Sequence, residues 1–276
     1  MKILFIICAM CVIACGGKSG SGTDGGGDDG GGGDGGGDGG GVTFDAQIPA
    51  GCTAPIPGNP QCSNCKDDDD DGEIDGFDIH CTGPTDDDEA SFKTGLPGDN
   101  VDPKNQDCFF DGDSGDGNDG CNVHICCILG VTDATMCPYP GNYQPSACPP
   151  PVGTTPLPTK CKEVCGNATP PGCDCFGCCT LCNDAGQCFD IALSASPNCT
   201  EDVLGDPTKC VPCTQIPSCG PTNCGGDTCI LCPGQDPNDL PDTCTPTCPA
   251  DVPSCLNQDC PDTLFCSNGC CIKVVQ

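Results

Sequence analysis

Apolar side chains are sparse along this chain and fall into short runs. The first, residues 3–13, is unbroken and follows Lys2, the only charge among the first fourteen residues. It has the length of a signal-peptide core and is too short to span a bilayer. Residues 16–41 then carry no apolar side chain at all. Further on, residues 122–129 alternate, with Val123, Ile125, Cys127 and Leu129 on one side, which predicts a strand with one buried face. Residues 189–193 alternate in the same way, and residues 272–275 predict a closing strand. Between these runs turn residues dominate. Ten prolines lie between Pro138 and Pro171, which predicts an extended connector with a staple between Cys137 and Cys148.

Composition explains why the apolar runs are so short. Leu, Ile, Val and Phe number 46 of 276 residues, and the net charge is −31. That inventory is below the roughly 20% typical of chains that bury a core unaided. Cysteine compensates: 35 residues, above the roughly 8–10% that marks a disulfide scaffold. Such usage belongs to an oxidising compartment outside the cytoplasm. The expected fold class is a set of small disulfide-rich modules with little regular secondary structure, short β-strands and loops, behind a disordered Gly/Asp linker.

The apolar run ends in Val12-Ile13-Ala14-Cys15. This order resembles the lipobox of bacterial lipoproteins. The resemblance implies cleavage before Cys15 and acylation of that cysteine. Cys8 and Cys11 would leave with the signal peptide and Cys15 would be capped, so 32 cysteines remain, an even number that allows sixteen pairs. Residues 16–41 hold 17 glycines and five aspartates and read as a flexible tether. Its end-to-end distance should be about 28 Å, from ~5.5 Å times the square root of its length. Gly16 is not the retention aspartate of the enterobacterial pattern, so the resemblance implies the bacterial outer membrane or cell surface. The expected organisation is a signal peptide over 1–14, lipidated cysteine and tether over 15–41, and an acidic stapled module over 42–130. A proline-rich connector over 131–172, a cysteine-rich module over 173–240 and a last knot over 241–276 follow.

Two further resemblances cover the remainder. Residues 81–86 (Cys-Thr-Gly-Pro-Thr-Asp), 95–100 (Gly-Leu-Pro-Gly-Asp-Asn), 107–112 (Asp-Cys-Phe-Phe-Asp-Gly) and 173–180 (Cys-Asp-Cys-Phe-Gly-Cys-Cys-Thr) carry the first. They resemble the cysteine-rich predicted lipoproteins of myxobacteria and their relatives, which implies a surface location and no particular activity. Residues 260–271, with Phe265-Cys266-Ser267-Asn268-Gly269-Cys270-Cys271, are similar to part of Dickkopf-type and whey-acidic-protein-type cysteine knots.

The acidic module offers the sharpest chemistry. Between residues 61 and 130 there are 17 Asp and two Glu against Lys66, Lys93 and Lys104. Within it, residues 67–78 match a twelve-residue calcium loop, which places oxygens at positions 1, 3, 5, 7, 9 and 12 and Gly at 6. The ligands would be Asp67, Asp69, Asp71, the Glu73 carbonyl, Asp75 and Asp78, with Gly72 at the turn. Position 12 is Asp where the pattern has Glu, and Cys65 and Cys81 stand where helices would flank the loop. In that respect it resembles the calcium loops of thrombospondin type 3 repeats and dockerins. The competing reading is a solvated acidic loop. A weaker second site is Asp111, Asp113 and Asp116, whose frame is broken by Gly115 at position 5. Calcium is the one cofactor expected, in the weak extracellular range of ~10⁻⁴–10⁻³ M.

The other chemistries find little support. Five C-x-x-C pairs (62/65, 175/178, 179/182, 210/213 and 229/232) suit zinc or redox work only as thiolates, which an oxidising compartment does not preserve. His80 and His124 are the only histidines; both read as surface residues, and no catalytic constellation surrounds them, so no enzyme is expected. All nine basic residues are lysines. A chain this acidic, with no arginine to clamp phosphate, should be repelled by nucleic acid and by anionic lipid headgroups. Its membrane contact is then the N-terminal lipid alone, and a protein partner is left unspecified. The expected function is a lipid-anchored, disulfide-stapled, calcium-binding surface protein with a structural or protein-binding role. The alternatives are a knottin-like inhibitor or receptor-binding module built on the last knot, and a periplasmic metal-buffering thiol protein built on Cys173–Cys188.

Overall fold

Every cysteine from Cys52 onward is paired, giving the sixteen disulfides that the parity allows. The structure is a computed structural model and describes residues 52–94, 102, 104–112, 119–139, 141–183 and 185–274. The lipidation candidate Cys15 and the tether lie outside the described residues. The chain divides into two units, Met1–Val42 and Thr43–Gln276, and all described residues belong to the second. Among them no helix is long and apolar enough to cross a membrane.

None of the five C-x-x-C motifs closes on itself. Cys62 joins Cys81 and Cys65 joins Cys52; Cys175 joins Cys219 and Cys178 joins Cys213. Cys179 and Cys182 go to Cys173 and Cys188. Cys210 joins Cys199, and Cys229 and Cys232 go to Cys244 and Cys224. All six cysteines of 173–188 are disulfide-bonded, which removes the thiolates a metal buffer needs and overturns that alternative. The fold is a disulfide-stapled module of the extracellular type.

Among the described residues, regular structure is three antiparallel strand pairs, two short α-helices and eight single 3-10 turns. Strands β1 (Asn105–Gln106) and β2 (Val123–His124) pair, as do β3 (Cys178–Cys182) and β4 (Cys188–Ala192), and β5 (Leu264–Ser267) and β6 (Cys270–Lys273). The last pair turns on Asn268 and Gly269, both at positive φ, the Asn-Gly signature of a tight hairpin. The strand expected over 122–129 ends at His124. Residues Ile125–Ile128 form helix α1 instead, capped by His124 Nδ1, which accepts from the Cys126 amide. Alternation fails because all four α1 residues are buried. The adjacent Cys126 and Cys127 bond to Cys137 and Cys148, so the expected Cys137–Cys148 staple is replaced by two others.

Helix α2 (Thr159–Cys165) shows how sulfur does the work of a core. Cys161 and Cys165 are four apart, hence on one face, and both are fully buried. They bond to Cys121 and Cys108, fixing the helix to the Phe109–Asp111 turn. Two apolar clusters form around such bonds. One gathers Val123, Ile125, Ile128, Tyr143, Leu157, Phe176 and Ile216 with ten cysteines. The other gathers Ile79, Phe92, Phe109 and Phe110 with Leu181, Ile191, Leu193 and Leu204. Both clusters draw residues from the acidic stretch and from beyond Cys173. Four disulfides also cross residue 130, and Cys229–Cys244 crosses residue 240.

Buried carboxylates do much of the remaining work of a hydrogen-bond ladder. Asp174, wholly buried, accepts from the amides of Phe176, Cys178 and Ile216. Asp119 accepts from Cys108 and Cys121, and Asp86 from Thr82 and Asp88. Apart from Cys178, which opens β3, these are loop amides, and the carboxylates satisfy the requirement that buried polar groups be paired.

Candidate metal centre

The acidic run 67–71 curls because its side chains capture amides further along. Asp67 accepts from the Asp70 amide at 2.6 Å and from the Gly72 amide at 3.0 Å. Asp69 accepts from the Asp71 amide at 3.1 Å, and Asp71 from the Glu73 amide at 2.9 Å. These are successive Asx-type turns, in which a carboxylate substitutes for the backbone carbonyl of a turn. Gly72 sits at φ +103°, a conformation open to glycine and strained for other residues, so the position-6 glycine has a physical reason. The even-numbered Asp68 takes no part in these turns. It pairs with Lys66 and the Asn64 amide group.

The far end of the loop is buried. A 3-10 turn over Asp75–Phe77 leads to Asp78, whose side chain is wholly enclosed. Asp78 Oδ1 accepts from the His80 amide at 2.6 Å and lies 3.3 Å from His80 Nδ1. Its Oδ2 is buried with no hydrogen-bond partner. An orphaned carboxylate oxygen in such a place is costly unless something positive meets it.

The electrostatics show which carboxylates feel one another's charge. Burial, then the charges of Asp71 and Asp78, pushes Asp69 up to about 6. Burial, then Asp78, Asp71 and Glu201, pushes Glu73 up to about 9. Burial and Asp71 likewise raise Asp78, against the stabilising bonds from His80. Asp69, Asp71, Glu73 and Asp78 therefore lie within reach of one another's charge. The donor set is all hard oxygen, which suits calcium rather than a soft metal.

Asp75 is placed differently from the other predicted ligands. Its carboxylate turns back to the amides of Asn64 and Cys65 at 3.0 and 3.1 Å, beside the Cys52–Cys65 disulfide. It anchors the loop's entry and does not join the carboxylate group. Of the second site, Asp111 is buried at the end of its turn, and Asp113 and Asp116 lie outside the described residues. His80 is buried against Phe92, not on the surface, and His124 is half-buried against Tyr143. The cysteine groups close enough to hold a metal, such as Cys121, Cys161 and Cys165, are disulfide-bonded throughout.

Three residues of the site carry no signal in the loop pattern. Glu89, wholly buried, accepts from the amides of Asp68 and Asp75 and so ties the two ends of the loop together. Gly76 lies under the last hairpin. A Cβ there would overlap the Cys266 carbonyl oxygen, and the Gly76 carbonyl accepts from the Asn268 amide at 2.8 Å. Glu201, more than a hundred residues on in the loop that the Cys199–Cys210 bond closes, acts on Glu73 by its charge. Only the three-dimensional pairing of cysteines could have pointed to the last two. No family model, curated protein or solved structure matches the chain, so its own residues carry the assignment of this site.

Proposed function

We propose that the chain is a lipid-anchored surface protein whose acidic loop binds calcium, and that the ion completes a disulfide-stapled scaffold with a structural or protein-binding role. The carrying observation is the loop itself: Asp67, Asp69 and Asp71 fixed by successive amide captures, with Asp78 Oδ2 orphaned at the buried end. Together with the Glu73 carbonyl they would supply calcium's hard oxygens. The anchor rests on Ala14-Cys15 behind the apolar run, and the outer-membrane location on Gly16. A calorimetric titration of the oxidised chain with calcium tests the site. Binding in the range of ~10⁻⁴–10⁻³ M supports it, and the absence of binding at several millimolar refutes it.

One observation favours a second reading. In the last knot, Asn257, Gln258 and Asp259 are exposed between Cys255 and Cys260, which bond to Cys266 and Cys271. A loop so held suits presentation to a protease or receptor. Inhibition of a protease panel at micromolar chain would support it, and no inhibition would remove the protease form of it.

A further inference from the structure

We propose that the cavity between β2 and the segments 142–149 and 155–158, apart from the acidic loop, is a binding site for a neutral saccharide. The cavity measures about 400 Å³, within the roughly 300–1,000 Å³ of small-ligand sites. Strand β2 supplies one wall, residues 142–149 a second, and the approach to α2 over 155–158 a third. Disulfides fix these walls to one another. Cys127, just beyond β2, bonds to Cys148, and Cys121, just before it, bonds to Cys161 of α2. Walls held in this way need little ordering when a ligand enters.

The lining selects by charge first. Among the described residues it holds no Asp, Glu or Lys, although the chain has 40 acidic residues. Burial, then Lys104, holds the lining residue His124 below its ordinary value, so its ring is neutral at pH 7. An ionic ligand finds no counter-charge here, and the net charge of −31 repels an anion. The polar groups then favour a polyhydroxylated ligand over an apolar one. The side chains of Asn122, Asn142 and Gln144 are exposed and make no hydrogen bond to another described residue. Each amide both donates and accepts, as a hydroxyl does. His124 adds a donor: its Nδ1 accepts from the Cys126 amide at 3.1 Å, so Nε2 carries the proton of the neutral ring. That Nε2 is buried with no hydrogen-bond partner among the described residues, and a ligand hydroxyl at the ring edge would answer it. The floor is apolar. Leu157 and Tyr143 are buried, and the Tyr143 hydroxyl is spent on the carbonyls of Val131 and Cys126. Its ring lies against His124, with centroids 4.9 Å apart. Such a floor suits the C–H face of a sugar ring, with the exposed amides left for its hydroxyls.

The test is an array of oligosaccharides probed with the whole oxidised chain. Neutral hexose- and N-acetylhexosamine-terminated glycans stand beside uronate and sulfated ones and beside proline-rich peptides. Neutral glycans should bind and the charged ones should not. Calorimetry with the best-bound neutral glycan should show affinity reduced about tenfold or more in the double variant Asn142→Ala/Gln144→Ala, the loss of one or two hydrogen bonds. Its melting should match the parent's. Asn257→Ala, which removes an exposed amide of the last knot, should change neither affinity nor melting. No neutral glycan bound at millimolar levels overturns the proposal. So does a preference for charged glycans, or capture of the peptides in place of glycans. Equal binding by the parent and the double variant would put the sugar elsewhere on the chain and overturns it as well.

Discussion

Asp78 and Gly76 carry the most consequence per side chain. Asp78 is a buried carboxylate with one oxygen bonded and one orphaned. Asp78→Asn removes a charge that its neighbours repel, so in chelator the variant should be as stable as the parent or more so, while its calcium response disappears. Paired melting curves check both halves. Gly76 is required by space rather than by φ: any side chain meets the Cys266 carbonyl. Gly76→Ala should therefore cost about 1–3 kcal/mol, the range for overpacking, read from denaturant midpoints under non-reducing conditions. The loss should appear with or without calcium, which separates it from the ligand variants.

At the scale of elements, side-chain carboxylates hold turns that strands do not. Asp174 and Asp86 are both raised to about 7, by burial first, against the amide bonds that favour ionisation. A raised carboxylate keeps its proton in the folded chain at pH values where the unfolded chain has lost it. The folded state thus binds more protons between about pH 4 and 7, and stability falls as pH rises through that window. Denaturant midpoints in chelator should accordingly drop from pH 4.5 to 7.5, and Asp174→Asn should shrink the drop. The sequence made some elements legible. Alternation at Phe189 and Ile191 found β4, and the closing strand expected over 272–275 falls on β6 but ends at Lys273, with Val275 outside the described residues. It misled at Val123–Leu129, where all of Ile125–Ile128 are buried, Cys126 and Cys127 through disulfides, and the period-2 signal loses its meaning. The turns of the 67–78 loop were legible from Asp and Gly spacing, since those captures are local. Asp75's turn toward Cys65 was not, because it depends on the Cys52–Cys65 bond. That Cys108, Cys121, Cys126 and Cys127 all bond beyond residue 130 could not be read from spacing either.

For the whole molecule, sulfur and charge oppose each other. With 46 Leu, Ile, Val and Phe and a net charge of −31, the chain has too little apolar surface to fold alone. Disulfides restrict the unfolded chain by roughly 2–4 kcal/mol each, and sixteen of them shift the balance. Full reduction should expand the chain to the dimensions of a disordered one by small-angle scattering; a compact reduced form would show that the apolar clusters suffice. At the other end of the chain, Cys15→Ser should release the protein from the membrane or block its processing, as fractionation reads directly. Cysteines bond across residues 130 and 240, so these experiments need the whole oxidised chain. A fragment ending at residue 130 would leave four half-disulfides.

The most direct measurement is thermal melting of the oxidised chain in millimolar calcium, in millimolar magnesium and in chelator, beside Asp69→Ala and Asp71→Ala. Without a cation the carboxylates of the 67–78 loop repel at close range, and an ion that binds only the folded chain stabilises it by mass action. Melting should rise clearly in calcium and less in magnesium, which demands a tight octahedron and holds its water. Both variants should lose most of the rise. Superimposable curves for the parent in calcium and in chelator, or an undiminished rise in the variants, would contradict the calcium loop and leave residues 67–78 a solvated acidic turn.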